Sequence, residues 1–218
     1  AALVIIAAVS PSAAQDSTPA EQAYKDIEAT LGVVPSHIKV YPQTAVAVLH
    51  KSATAQLGLF QVAQLQFGDT VVVEGGAGGV GSAVVQLAKA AGARVIATAK
   101  AQDHQWCVSC GADTVVDYRS SDELAQVGAA APDGVDVWWD TSGRNDLPAC
   151  LPLLALGARV VVMSGLGSSL TVPAGELYTR DISVRGFAIS NATTSDLAAA
   201  AQRINAMLAA GTLRARKV

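Results

Sequence analysis

From residue 70 onward the apolar positions alternate between two textures. Unbroken runs at Thr70–Glu74 (TVVVE), Arg94–Thr98, Thr114–Asp117, Val135–Asp140 and Arg159–Met163 are rich in β-branched residues. They predict strands buried on both faces. Between them the spacing turns helical. Gly79–Ala91 carries Val80, Ala83, Val84, Leu87, Ala88 and Ala91 at offsets 0, 3, 4, 7, 8 and 11, one face of a helix. Further helices are predicted over Gln102–Cys110 (ended by Gly111), Asp122–Val127, and Leu147–Leu156 with breaks near Pro148 and Pro152. The last strand is Ile182–Ile189. A final helix, Asp196–Ala210, presents Leu197, Ala200, Ala201, Ile204, Met207 and Leu208 on one face and stops at Gly211. Strands alternating with helices predict an α/β fold, a doubly wound parallel sheet of about six strands.

The N-terminal stretch reads differently. Residues 1–15 (AALVIIAAVSPSAAQ) have two readings. One is the apolar core of a secretory signal, with Ser12 and Ala14 as small residues before a cleavage point at Gln15. The other is an ordinary buried helix or strand. Residues 16–53 form an extension in which Ser17 or Thr18 caps a helix over Glu21–Leu31. Residues 54–218 remain as the α/β domain.

Composition narrows the function classes. Lys plus Arg number 15 against 18 for Asp plus Glu, a net charge of −3. That balance leaves no basic excess for a polyanion and argues against nucleic acid as a partner. Hydrophobic residues make up 51% and charged residues 15%, enough apolar surface to offset the entropy of ordering. No apolar run reaches the roughly 20 residues that span a bilayer. Three cysteines, Cys107, Cys110 and Cys150, are too few for a disulfide scaffold.

The chemistry concentrates in one turn. In Val71-Val-Val-Glu-Gly-Gly-Ala-Gly-Gly-Val-Gly81, the residues Gly76, Gly78 and Gly81 fit G-x-G-x-x-G between a strand and an amphipathic helix. That is the setting of a dinucleotide-binding, Rossmann-type turn. Gly76 is read as permitting the tight turn, Gly78 as letting a pyrophosphate approach, and Gly81 as letting helix and strand pack closely. The helix N-terminus at Gly79, Val80 and Gly81 then offers N–H groups to phosphate. An acid at the end of the second strand would mark NAD. This chain reads Val95-Ile-Ala-Thr-Ala-Lys100, with no acid until Asp103. Thr98 and Lys100 can instead donate to a 2′-phosphate, which favours NADP(H). A solvated loop lysine is the alternative for Lys100.

On these residues the chain resembles the medium-chain dehydrogenase/reductase superfamily. The resemblance runs through Thr54–Thr70, EGGAGGVGSAVVQLAKAAGARVIATA, GADTVVDYR, VDVWWDTSG, LLALGARVVVMSG and SVRGFAISNATTSDLAAAAQRINAMLAAGTLR. It covers about residues 54–216 and is similar to the quinone-reductase-like, zinc-independent branch. It implies that Tyr118 lies against the adenosine end with Lys100. It also implies that the loops Thr141-Ser142-Gly143 and Ser164-Gly165-Leu166 flank the nicotinamide. Separately, residues 1–44 resemble the start of secreted proteins related to carboxymuconolactone decarboxylase, without that family's cysteine-bearing helix.

The superfamily places a substrate domain ahead of the cofactor domain and returns to it after the last helix. The 53 residues before Thr54 do not resemble that domain, and the sequence stops at Lys217-Val218. The expectation is therefore an NADPH-binding domain of an oxidoreductase that passes hydride to a quinone, enal or activated carbonyl. No proton donor is assigned. A non-catalytic dinucleotide-binding module is the alternative, and a secreted thiol-redox protein a third. The expected partner is a small-molecule substrate, with room for a homodimer. The expected location is the cytoplasm, or outside it if residues 1–14 are a signal remnant.

Other chemistry ranks lower. His50 stands where zinc-dependent relatives carry a ligand, but His37 and His104 share no ligand spacing with it, so a loop or core histidine is expected. Cys107-Val-Ser-Cys110 falls at a helix C-terminus, where the dipole disfavours thiolate, and reads as packing. Trp138 and Trp139 should face opposite sides of the sheet. Ser142 lacks the surroundings of a nucleophile elbow.

Overall fold

The computed structural model describes residues 42–144 and 146–214, with the backbone alone for residues 42–48. The signal-like segment, the Glu21–Leu31 helix and most of the 1–44 resemblance lie outside them. Helix α1 (Pro42–Leu57) runs into a π-helical turn, Gly58–Val62. The sheet follows: β1 (Thr70–Glu74), β2 (Arg94–Ala99), β3 (Thr114–Asp117), β4 (Val135–Asp140), β5 (Leu154–Val162) and β6 (Ser183–Gly186). Every strand pair is parallel, in the order β3-β2-β1-β4-β5-β6. The connecting helices are α2 (Gly79–Ala90), α3 (His104–Ser109), α4 (Glu123–Ala130), α5 (Leu147–Cys150), α6 (Ala174–Thr179) and α7 (Thr194–Ala209). This is the doubly wound Rossmann-type α/β fold. The strand order reverses between β1 and β4, and such folds open a crevice there, at the carboxyl ends of the strands.

The unbroken apolar strands are explained by burial on both faces. Val71, Val73, Val95, Ala97, Val137, Trp139 and Val161 form one core with α2 and the Gly58 turn. Val72, Ile96, Val116, Trp138 and Val160 form the other with α4 and α5. The register Val72↔Trp138 and Val73↔Trp139 puts the two tryptophans on opposite faces, as expected. Burying an indole removes about 200 Å² from water, worth roughly 5 kcal/mol before entropy is charged. Trp139 fits because Gly58 has no side chain: a Cβ there would stand 2.2 Å from its Cη2. Gly58→Ala should therefore lower unfolding stability by about 1–3 kcal/mol in urea titration. A change under about 0.5 kcal/mol, the scatter of a surface substitution, would mean that the helix end is free to move.

Several predicted elements need correction. The Leu147–Leu156 helix ends at Cys150, passes through a 3₁₀ turn at Leu151–Leu153, and gives way to β5 at Leu154. Pro152 has no N–H to continue a helix. The tail pairs with β4 instead, but the register jumps from Val135↔Leu154 to Val137↔Arg159, around Gly157 in the left-handed region (φ +74°). The last strand is only Ser183–Gly186, because a 3₁₀ turn occupies Ile189–Asn191. The helix predicted over Asp122–Val127 extends to Ala130, and α6 was not predicted at all. The final helix starts two residues earlier than expected, after a capping box in which Thr193 and Asp196 satisfy each other's backbone N–H groups. Its apolar face packs against α1, with Ala200 and Ile204 buried beside Ala53 and Leu57. Among the described residues, no helix is long and apolar enough to cross a membrane.

Candidate functional site

A cavity of about 500 Å³ opens where β1, β2, β3, β4 and β5 end. The glycine turn forms its floor through Gly75, Ala77, Gly78, Gly79, Val80 and Gly81. Thr98, Ala99, Lys100 and Asp103 follow β2, Tyr118 follows β3, Thr141 follows β4, and Met163 and Ser164 follow β5.

The turn is held by its own backbone. Gly76 N–H donates to Thr98 O at 2.9 Å, and Gly78 N–H to Gly75 O at 2.9 Å. Gly75 N–H donates to Thr98 Oγ1 at 3.3 Å. The residue that needs a left-handed conformation is Gly75 (φ +74°), rather than Gly76. Gly76 is needed for space instead, since a Cβ there would stand 2.7 Å from Ala97 Cβ. At Gly81 a Cβ would stand 2.1 Å from Gly75 O, so the close helix packing read from the sequence is present. At Gly78 the nearest atom to a Cβ would be Gly75 O at 3.1 Å, and the rest of that direction is open. No side chain caps α2, so its first N–H groups face this opening.

Two cations border the turn. Lys100 lines the cavity beyond β2. Lys51, on α1, was not singled out in the sequence. Its side chain lies over Gly79, where a Cβ would stand 2.8 Å from Nζ. Thr98 is 1% exposed and its hydroxyl braces the turn, so Lys100 reaches the cavity more directly. Asp103 lines the same end, an acid closer to the site than its place in the sequence suggested. The Tyr118 ring carries the Arg119 guanidinium 5.8 Å from its centroid.

Gly76, Ser142 and Gly165 do not line the cavity; Thr141, Met163 and Ser164 do. Ser142 points back into the protein, with Oγ 2.8 Å from Glu74 Oε2 and 2.7 Å from Asp140 Oδ1. Gly165 (φ +84°) packs beneath Gly143, joining the two loops. Glu74 and Asp140 are 7% and 3% exposed at the paired ends of β1 and β4. Burial, and then the Asp140 charge, push the Glu74 carboxyl above its ordinary range, opposed by Ser142 and Arg144. Arg144 reaches Glu74 Oε1 at 3.2 Å while its fork holds Glu123 at 2.7 and 2.8 Å.

His50 is an exposed residue of α1, not a loop or core histidine. Among the described residues, no group of three or more His, Cys, Asp or Glu side chains is placed to hold a metal ion. Cys107 and Cys110 are buried thiols at the end of α3, outside any disulfide. Burial, with Glu74 nearby, pushes the Cys150 thiol up to about 12.

Residues 79–206 match the family described as zinc-binding dehydrogenase. The NADPH-dependent curcumin reductase of Escherichia coli is 36% identical over 119 residues, 53% of this chain and 34% of that protein. The quinone oxidoreductase of Rattus norvegicus is 30% identical over 145 residues, 66% of this chain and 44% of that protein. The crystal structure of CurA from Vibrio vulnificus in complex with NADPH superposes with a TM-score of 0.73 at 28% identity. It covers 84% of this chain and 57% of that one. The chain thus spans less than half the length of the two relatives.

Proposed function

The chain belongs to the zinc-binding dehydrogenase family, and from that premise we propose that it binds NADPH in the cavity above the glycine turn. The observation that carries this reading is the turn itself. It combines an open direction at Gly78, an uncapped helix N-terminus and Lys51 over Gly79. A pyrophosphate needs all three: close backbone approach, N–H donors and positive charge. Residues 54–218 form the dinucleotide-binding domain in this reading. Gly78, Gly79, Val80 and Gly81 hold the pyrophosphate, with Gly76 keeping the turn close to β2. Lys100, Thr98 and Tyr118 attend the adenosine end, where Lys100 meets the 2′-phosphate. Thr141, Met163 and Ser164 border the nicotinamide end, with Ser142 and Gly165 shaping those loops from behind.

Bound nicotinamide supplies the hydride chemistry, while the protein orients the ring and excludes water. The zinc of the family's description has no donor set among the described residues, and no step here depends on it. The acceptor in this reading is an activated carbonyl, a quinone or an enal; of the relatives, one is named for a quinone and one for curcumin. The use of NADPH, an intracellular cofactor, supports a cytoplasmic location. A second reading is a dinucleotide-binding module without turnover. NADPH oxidation, with and without a quinone or an enal, distinguishes the two. Acceptor-dependent oxidation supports the enzyme. Saturable NADPH binding without it supports the module.

Lys51 gives the reading its own prediction. Lys51→Ala should weaken NADPH and NADH alike, by about 5- to 10-fold at low salt. The loss should shrink as salt screens the contact. Unchanged constants in low salt would mean that Lys51 is a bystander on α1.

A further inference from the structure

We propose that one proton, shared along Glu74, Ser142 and Asp140, locks the loop after β4 against the glycine turn. Its loss as pH rises then loosens the nucleotide groove. The binding part of this proposal rests on the nucleotide reading above; the proton does not.

Counting hydrogens carries the argument. Ser142 Oγ lies 2.8 Å from Glu74 Oε2 and 2.7 Å from Asp140 Oδ1. It also accepts the Arg144 N–H at 3.1 Å. A hydroxyl has one hydrogen and two lone pairs. One hydrogen cannot satisfy two carboxylates, so one carboxyl must bring its own and donate it to Ser142 Oγ. The second lone pair of Oγ then serves Arg144, and every valence is used.

The backbone decides which carboxyl carries the proton. Asp140 Oδ1 also accepts the Ser142 N–H at 2.6 Å and the Gly143 N–H at 3.0 Å, so that oxygen is already occupied as an acceptor and has no room for a hydrogen of its own. Glu74 meets the Arg144 guanidinium at 3.2 Å, while that fork is committed bidentately to Glu123 on α4. Ionised Glu74 would therefore face Asp140 across paired strand ends, with Arg144, shared with Glu123, as its cation among the described residues. On α5, the Cys150 thiol stays neutral, and Asp146 accepts the Ala149 N–H as a helix cap. Neither offers a compensating positive charge. The direction of the Glu74 shift agrees, with burial its largest cause.

The lock reaches the groove through the backbone of Glu74. Its carbonyl accepts the Thr141 hydroxyl at 2.5 Å and the Thr141 N–H at 3.3 Å. Thr141 Oγ1 also fills the space where Gly75 lacks a Cβ. Repulsion between two ionised carboxylates would push the 141–143 loop off Gly75, the residue that sets the turn. Glu74 is thus a positioning residue, one shell removed from the ligand.

The test compares the whole chain with Glu74→Gln, whose amide can donate to Ser142 and accept from Arg144 at any pH. Infrared spectroscopy at a pH above the ordinary glutamate range should show a protonated-carboxyl carbonyl band that the variant lacks. Because the folded Glu74 pKa is raised, folding holds its proton more tightly than the unfolded chain does. Wild-type stability should then fall as pH rises toward and through the folded value, and the variant should lack that slope. The NADPH dissociation constant of the wild type should climb by up to about 10-fold per pH unit above that folded value. In the variant it should stay near the neutral-pH value. A missing band, or parallel pH profiles in the two proteins, overturns the proposal. If NADPH binds at no pH while band and stability slope persist, the groove has been misread but the proton is upheld.

Discussion

Gly81→Ala is expected to cost the chain both its stability and its nucleotide groove. The methyl would stand 2.1 Å from Gly75 O, 2.8 Å from Gly75 C and 3.0 Å from Gly76 Cα. All three are backbone atoms, so no rotamer change relieves the clash. Either the turn lifts off α2, or α2 moves away from a sheet against which Ala83, Val84, Leu87 and Ala88 are buried. Both routes break close packing, at about 3 kcal/mol or more. The turn should lose its shape before the helix melts, so NADPH binding should fall by more than ~100-fold, about 2.7 kcal/mol. Urea unfolding and a fluorescence titration read the two effects. Gly76→Ala is the milder comparison, because its nearest atom is the Ala97 methyl. Near-wild-type stability and binding in Gly81→Ala would show slack between turn and helix that the structure does not contain.

The second large effect concerns cofactor choice. Lys100 is the cation beyond β2 in the cavity wall, whereas Thr98 is buried and braces Gly75. A charge-assisted bond to a 2′-phosphate is worth roughly 1.5–3 kcal/mol. That is about a 10- to 150-fold preference for NADPH over NADH. Lys100→Ala should erase most of it by weakening NADPH alone. Lys100→Glu should reverse it, adding repulsion to the phosphate that Asp103, on the same wall, can only reinforce. Equal losses for both cofactors would make Lys100 a shaper of the loop. No loss would make it a solvated lysine, with Arg119 beside Tyr118 the next candidate.

Much of this was legible from residue order, for physical reasons. A strand buried on both faces must be apolar throughout, so β1 and β4 could be bounded to the residue; β3, an edge strand with only Val116 buried, was bounded by its β-branched run. A surface helix must be apolar on one stripe, which exposed α7, whereas α2 showed the same period although it is buried on every side from Gly81 to Ala88. The Leu147–Leu156 error arose because Leu-rich segments suit a helix and a buried strand equally, and only pairing with β4 decides. Within the site, G-x-G-x-x-G gives spacing but no dihedral angles. The left-handed residue proved to be Gly75, one position before the motif. In the loops after β4 and β5, Thr141 and Ser164 line the cavity, while Ser142 bonds back to Glu74 and Gly165 lies outside the lining. Lys51 was invisible because only the packing of α1 on α2 brings it over Gly79. Glu74 was given no role beyond the end of its strand. The available signal was a second acid, Asp140, closing the strand predicted to lie in the same sheet.

The most direct test of the central claim is a titration of NADPH into the 218-residue chain and into Gly78→Val, each with its unfolding stability measured. The backbone at Gly78 is acceptable to valine (φ −70°, ψ 172°), and the side chain would occupy the open direction of the turn. The account predicts saturable binding to the wild type, weakened at least ~10-fold in a variant of nearly unchanged stability, about 1.4 kcal/mol of affinity lost from the ligand site alone. Equal affinity in the two folded proteins, or no binding to the wild type, would contradict it.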